Sequence, residues 1–303
     1  MQDAYRKQVE LLIRCLPDVE KQICFALKGG TAINLFVHNM PRLSVNLELV
    51  YLPIEPRERT LLNIERSLSE ICDSIEQHIA GAKVMKTSKD NHINQLLVKH
   101  DGVRIKIEPN IIQRGAIFKV EEKTLCERAE SEFELSATAN ILADAELYGS
   151  KLVDALHCQH PCDLFDVKLL LENEGLTEGI RRALVVYLIS HPHPMHKLLK
   201  PNLKDLEYEY RTQFKGLSNI PILLSDLLET RADVIKTIKN ALTTEERHFL
   251  ISIKSGEPDW TLLDIPQLAQ LPGIKWKLQN VRKMGANKRQ LSVDKLKNIL
   301  DIS

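Results

Sequence analysis

The 303-residue sequence lacks several features that would narrow its function at once. No apolar run approaches the ~20 residues that a membrane-spanning helix needs, and the first residues, MQDAYRKQVE, contain no signal-peptide core. Internal repeats and low-complexity tracts are also absent. The sequence therefore predicts a cytoplasmic protein without a membrane partner.

The sequence also has no net charge, because 41 basic residues balance 41 acidic ones. A nucleic-acid partner would need a local basic patch instead of a chain-wide field. The most basic stretch is 274–297, where Trp276 accompanies several cations that could contact RNA phosphates. A solvated helical face explains the same stretch equally well. The cations are Lys275, Lys277, Arg282, Lys283, Lys288, Arg289, Lys295 and Lys297.

The six cysteines are scattered, and a cytosolic location argues against disulfides. The tightest cluster, His157-Cys158-x-His160-x-Cys162, superficially resembles a zinc site. A structural zinc site needs four ligands, and no second ligand pair completes the tetrahedron. Small buried cysteines and a polar loop explain the cluster more simply.

The apolar periodicity predicts an α+β fold, with a mixed sheet and flanking helices at 1–130 and an all-helical domain at 131–303. Two alternating strands, 94–100 and 103–109, flank Asp101-Gly102, the strongest short-range hairpin signal. Residues 191–203, rich in His and Pro, are predicted to form a loop. The predicted helices are 3–27 (interrupted near Pro17, with a second short run from Ile23), 55–80, 139–158, one beginning near Cys162 with Asp163 as N-cap, 178–190, 221–240, 243–254 and 289–300.

Residues 26–52 are the most informative stretch. A Gly-Gly-Thr turn opens a short apolar helix, and a later strand offers Asn46 and Glu48 at alternate positions. Side chains two apart on a strand share a face, so these two would lie side by side above the turn. Glu108 ends a second strand whose polar face could join them. Oxygen-bearing side chains beside a glycine turn at a helix start are suited to a nucleoside triphosphate and its magnesium.

Nucleotidyl transfer is catalysed mainly by positioning and by charge neutralisation. Here Gly29-Gly30-Thr31 could supply backbone N–H groups and a hydroxyl, while Arg42 and Lys151 could counter triphosphate charge. Each signal has a simpler alternative. The turn can be a turn only, the alternating strand a solvated face, Lys151 a solvent-facing helix lysine, and Asp163 a plain N-cap.

The order of these motifs resembles a known family. LKGGTAINLF with PRLSVNLELVYLP, RIKIEPN, GSKLVDAL with HPCDLFDVKLLLE, and SGEPDWTLLDIPQLAQLPGIKWKLQNVRKM together resemble the AbiEii/AbiGii toxin-type nucleotidyltransferases of the DNA polymerase β-like superfamily. The resemblance implies a toxin of a type IV toxin–antitoxin or abortive-infection module. Such an enzyme is expected to transfer nucleotides from an NTP, with Mg²⁺ or Mn²⁺, to an RNA acceptor, such as the 3′ end of tRNA. It also implies a cognate antitoxin encoded nearby, such as a DNA-binding repressor.

The resemblance assigns roles by position. Glu48, Glu108, Lys151 and Asp163 are the predicted catalytic residues, and Asn46, Glu48 and Glu108 the predicted metal ligands. Ser44, just before the strand, is expected to touch phosphate. Together with the turn and Arg42, the predicted nucleotide-binding residues are Gly29, Gly30, Thr31, Arg42, Ser44, Lys151 and Asp166.

The chain departs from the family pattern at three positions. The pattern Ser-x-Asp-x-Asp is replaced by Ser44-Val45-Asn46-Leu47-Glu48, and Cys162 stands where an arginine is usual. Asn46 loses a charge, and the extra methylene of Glu48 moves its oxygens by about 1.5 Å, a shift that can cost ~100-fold in rate.

Three hypotheses follow. The chain is an active RNA-modifying nucleotidyltransferase with an altered metal site, a degenerate relative that binds nucleotide or RNA without turnover, or an interaction or defence component that uses the α/β part as a scaffold. Asn46 favours the second, whereas the retained Glu48, Glu108, Lys151 and Asp163 favour the first.

Overall fold

A computed structural model describes residues 2–89 and 91–302 and divides the chain into two compact units. The first unit comprises residues up to Leu147 together with Arg211–Pro221. The second comprises Tyr148–Tyr210 and the residues from Ile222 onward. The sheet belongs to the first unit and the second is helical, so the predicted α+β fold class is confirmed.

The first unit is built on a seven-stranded sheet with the order β3-β4-β5-β2-β1-β7-β6. The sheet is mixed, because β2 runs parallel to β5 and β1 parallel to β7, while the other neighbouring pairs are antiparallel. Its strands are β1 (Phe25–Lys28), β2 (Asn46–Tyr51), β3 (Lys83–Lys89), β4 (His92–His100), β5 (Val103–Asn110), β6 (Glu121–Thr124) and β7 (Thr138–Ile141).

Two amphipathic helices, α1 (Gln2–Glu20) and α3 (Arg57–His78), pack on one face of this sheet and on each other. The alternation of the hairpin directs Leu96, Val98 and Ile105 to the core, where each is almost completely buried. The predicted hairpin is confirmed, with His100 paired to Val103. The unit also contains α2 (Gly29–Ala32), which a π-helical turn continues through Ile33–Val37, α4 (Glu127–Phe133) and the start of α5 (Asp144–His157).

The helical unit begins within α5, at Tyr148. Its core contains apolar side chains such as Leu184, Val185 and Leu188. None of the helices described in either unit combines the length and the apolar character needed to cross a bilayer. The remaining helices are α6 (Pro161–Asn173), α7 (Glu178–Ser190), α8 (Met195–Leu199), α9 (Glu207–Glu209), α10 (Leu224–Ala241), α11 (Thr244–Ser255), α12 (Pro272–Arg282) and α13 (Ala286–Leu300).

Several local predictions are wrong, each for a physical reason. The helical run predicted from Ile23 is wrong, since residues 25–28 form strand β1. All four strand residues are buried, so their pattern has neither helical nor alternating periodicity and could not reveal a strand. Pro17 does not interrupt α1, which continues to Glu20. Leu16 and Val19, on either side of this proline, are buried. The helix predicted at 139–158 begins only at Asp144, because β7 pairs with two neighbouring strands first.

Other elements were not predicted at all. The edge strands β3 and β6 are polar along most of their length and lack the apolar alternation of a half-buried strand. Helix α8 lies inside the predicted loop 191–203, and α12 overlaps the first part of the basic stretch, for which a helical face was only the alternative. Strand β7 and Arg211–Pro221 lie beyond residue 130, the predicted end of the first domain, yet they belong to the first unit.

Candidate functional site

Two glutamates meet on neighbouring parallel strands in the first unit. The register pairs Asn46 of β2 with Lys106 of β5, and Glu48 with Glu108. Paired positions point to the same face, and neighbouring strands lie about 4.7–4.9 Å apart, so the two side chains project from neighbouring positions on one face. Asn46 shares this face two residues away. The predicted meeting of the two polar strand faces is therefore confirmed.

The glycine turn lies directly against Glu48. Gly29 has a φ of +73°, and a Cβ built on it would stand 2.6 Å from Cδ of Glu48. No side chain fits there without displacing the carboxylate, and a positive φ itself favours glycine. The turn and the carboxylate thus occupy one site, as the sequence predicted.

The second glycine of the turn makes room for a guanidinium. A Cβ on Gly30 would clash with Nη2 of Arg42 and lie 3.2 Å from Oγ of Ser44. Arg42 is 3% exposed and donates to the carbonyl of Leu43 at 3.0 Å. The structure therefore brings the predicted nucleotide-binding residues of this unit together, with Arg42 and Ser44 packed against the turn.

Thr31 connects this turn to the strand that carries the polar residues. Its hydroxyl donates to the carbonyl of Asn46 at 2.6 Å and lies 2.9 Å from Oγ of Ser44. Thr31 is 1% exposed, so its oxygen is engaged inside the protein. The side chain orients β2 and Ser44, and its predicted contact with phosphate stays a prediction.

Two residues that the sequence reasoning missed complete this face. Gln95 of β4 donates from Nε2 to Oε2 of Glu108 at 2.9 Å, and exposed Lys106 stands opposite Asn46. The hairpin register that follows from Asp101-Gly102 carried the signal for Gln95, because it places this residue beside Glu108. Lys106 could be found only by pairing β5 with β2.

These donors fit a magnesium ion in chemical type. Glu48 and Glu108 supply carboxylates and Asn46 an amide oxygen, and magnesium is commonly bound by one or two carboxylates together with substrate phosphates. No group of three or more His, Cys, Asp or Glu side chains within residues 2–89 and 91–302 could hold a metal. Lys106 reduces the negative charge at the Asn46 end.

The helical unit holds a second cluster, formed by Lys151, Asp163 and Asp166. Lys151 Nζ lies 2.9 Å from Oδ1 of Asp163 and 3.5 Å from Oδ2 of Asp166. The Lys151 side chain is 4% exposed, and that of Asp166 is fully buried. The alternative of a solvent-facing lysine is therefore wrong, and the three residues predicted in this half of the sequence lie together.

The start of α6 corrects the predicted cap. His160 is the N-cap residue, its side chain accepting from the backbone N–H of Cys162, and Pro161 occupies the first turn. Asp163 lies inside the helix and bonds Lys151, so its assignment as N-cap is wrong. Proline favours the first helical position because its missing N–H is not needed there. His160, part of the zinc-like spacing, thus has a structural task.

Lys277 corrects the predicted basic surface. It is 6% exposed and donates from Nζ to the carbonyls of His191 and His193. Its ammonium is directed inward to two backbone carbonyls, so its inclusion in an exposed basic patch is wrong. Lys275 and Trp276 are exposed on the same helix, and their contact with RNA stays a prediction.

Burial, together with the charge of Lys254, lowers the pKa of Lys277 from 10.5 to about 7. Between these values the unfolded chain holds a proton that the folded chain has released, so stability rises with pH and falls as pH drops toward 7. We expect Lys277→Met to remove a slope of up to ~1.4 kcal/mol per pH unit. Denaturant unfolding at pH 7 and pH 9 checks this; identical pH dependence in both proteins would contradict it.

The chain matches a family model and is similar to solved structures. A family model described as nucleotidyl transferase AbiEii toxin of a type IV toxin–antitoxin system matches residues 10–280. Among solved structures, the chain is similar to MenT4, a nucleotidyltransferase toxin from Mycobacterium tuberculosis H37Rv, with a TM-score of 0.62 and 14% identity over 91% of this chain and 93% of that chain. At this identity the likeness supports the fold alone. No curated protein matches the sequence.

Proposed function

The chain belongs to the AbiEii family of nucleotidyltransferase toxins of type IV toxin–antitoxin systems, and from this premise we propose that it transfers nucleotides from an NTP to an RNA acceptor, the 3′ end of a tRNA. The observation that carries the proposal is the pairing of Glu48 with Glu108 beside the Gly29 turn. Family membership also implies a cognate antitoxin as partner. A DNA-binding repressor is the form that we propose for it.

The proposed reaction joins an RNA hydroxyl oxygen to the α-phosphorus of the NTP. The bond from that phosphorus to the bridging oxygen breaks, and pyrophosphate leaves with the electron pair. Glu108 accepts the hydroxyl proton on Oε1, while Gln95 holds Oε2 and so fixes the carboxylate in place. Glu48 is positioned by the turn and by β2.

The other predicted roles fit around this step. Magnesium or manganese, held by Glu48, Glu108 and Asn46, would neutralise triphosphate charge when bound. Arg42 and Ser44 are proposed to contact phosphate at the turn. In the helical unit, we propose Lys151 as a further triphosphate contact that Asp163 and Asp166 position.

One observation favours a second candidate function, nucleotide or RNA binding without turnover. Asn46 carries no charge, and its partner across the strands is the cation Lys106. A metal-binding site loses affinity when an anionic ligand is replaced by a neutral one next to a positive charge. The two candidates differ in one measurable property, which is turnover.

Asn46→Asp is expected to raise nucleotide transfer about 10- to 100-fold, because it restores an anionic ligand for the divalent metal ion that neutralises the triphosphate. The measurement is incorporation of labelled NTPs into total tRNA by the native chain and by the variant. Asn298→Asp, at an exposed position on α13, makes the same chemical change away from the site. Labelling only by Asn46→Asp would identify the native chain as the binding form; labelling by neither, despite NTP binding, would remove the transferase proposal for this chain.

A further inference from the structure

Three cations form a row across three neighbouring strands of the first unit. The register pairs Lys83 of β3 with Lys99 of β4, and Lys99 with Arg104 of β5. Paired positions share a face, so the three side chains project side by side, and all three are exposed. This face is opposite to the one on which α1 and α3 pack.

The row has no countercharge among the residues that the structure describes. Lys83, Lys99, Arg104 and nearby Lys106 make no ion pair within 2–89 and 91–302. Like charges directly opposite on neighbouring strands destabilise a sheet. The fold therefore gains nothing from this arrangement, and a negatively charged partner would relieve the repulsion.

The cation row lies on the same face as the candidate carboxylates. Two residues along the strands, the next row contains Met85, Leu97 and Lys106, and it continues to Asn46. The following row contains Glu108 and Glu48. At about 3.3 Å per residue, the cation row is about 13 Å from the glutamates, with Lys106 halfway between them.

We propose that this exposed face, defined by Lys83, Lys99, Arg104 and Lys106, binds the sugar–phosphate backbone of the RNA acceptor and directs its end toward Glu48 and Glu108. The inference rests on the proposed transferase function and specifies the surface on which the RNA acceptor lies.

Charge spacing favours RNA over the NTP as the occupant. The cations of the row are spaced across three strands, and an RNA strand likewise carries its phosphates one per nucleotide along its length. A single NTP bound at the carboxylates carries all its charge in one place. Met85, 52% exposed, and Leu97 offer apolar contact to bases between the charged rows. An acidic surface of the antitoxin is the competing occupant, and measuring both RNA and antitoxin binding separates the two.

The test is the variant K83Q/K99Q/R104Q with fluorescein-labelled oligouridylate as the probe, followed by anisotropy at several salt concentrations. We expect the affinity for RNA to fall at least about tenfold. The magnitude of the slope of log K against log salt should decrease by about 2, because each of three lost phosphate contacts contributes ~0.7. The control K7Q/R59Q/R66Q removes the same charge from exposed positions on α1 and α3 and should leave the slope unchanged. If the triple variant does not fold, Lys99→Gln alone should lower the slope by about 0.7.

The outcomes distinguish this inference from the proposed function. Calorimetric titration with NTP and magnesium should give the native affinity in the triple variant. RNA binding that depends on the row, in a protein that transfers no nucleotide, would retain the docking surface and remove the transferase. Transfer by a triple variant with native RNA affinity and slope would overturn the docking surface, and loss of antitoxin binding in that variant would assign the row to the antitoxin.

Discussion

Glu48→Gln is expected to reduce nucleotide transfer by about 10²- to 10³-fold, the usual cost of removing one electrostatic group from an active site. Glutamine has nearly the same size, so it still fits against Gly29 and keeps the fold. The lost charge is the one that stands beside Glu108 in the register of β2 and β5. Initial rates of NTP incorporation into tRNA, at matched protein concentrations, give the measurement.

A control and a contrary result make this prediction specific. Glu122→Gln, exposed on β6, removes one carboxylate from the same sheet outside the site and should retain the native rate. Equal thermal midpoints of the two variants would show that both are folded. An unchanged rate in Glu48→Gln would mean that chemistry occurs elsewhere, and the proposed function would lose its main support.

Lys151→Met is expected to destabilise the helical unit by about 3–5 kcal/mol, because it leaves two carboxylates without their buried countercharge. Asp166 is fully buried, so it cannot regain hydration without local opening. Denaturant unfolding followed by circular dichroism measures the loss. Lys168→Met on α6 is the matched control, since Lys168 pairs with exposed Glu172 and should contribute less than about 1 kcal/mol.

The same pair of variants separates two roles of Lys151. If its variant unfolds more easily yet transfers nucleotides at the native rate in its folded form, the lysine serves structure alone. A stable but inactive variant would support the proposed triphosphate contact. Native stability together with native activity would contradict both roles.

Most of the site in the first unit could be predicted because its signals are local. Alternation placed Asn46 and Glu48 on one face, and the Asp101-Gly102 hairpin fixed which face Glu108 occupies. Buried β1 could not be recognised, because a fully buried strand of four residues has no periodicity to detect. Polar edge strands such as β3 are hidden for the opposite reason, since little of their surface is apolar.

The burial of a single cation was harder to predict, although the helical periodicity of its neighbours indicated which face of the helix it occupies. Lys277 stands at helical spacing between Ile274 and Val281, both buried, so periodicity places it on the inner face of α12. What periodicity cannot give is the partner. The carbonyls of His191 and His193 come from a distant part of the chain, and only packing brings them to Lys277.

The bare backbone at Gly29 ties the identity of two sequence positions together. Glutamate is one carbon longer than aspartate, and the space that a side chain at position 29 would fill is where that extra length ends. Glu48→Asp therefore leaves an empty space beside Gly29, and Gly29→Ala displaces the Glu48 carboxylate. The length of the side chain at position 48 is therefore matched to the absence of a side chain at position 29.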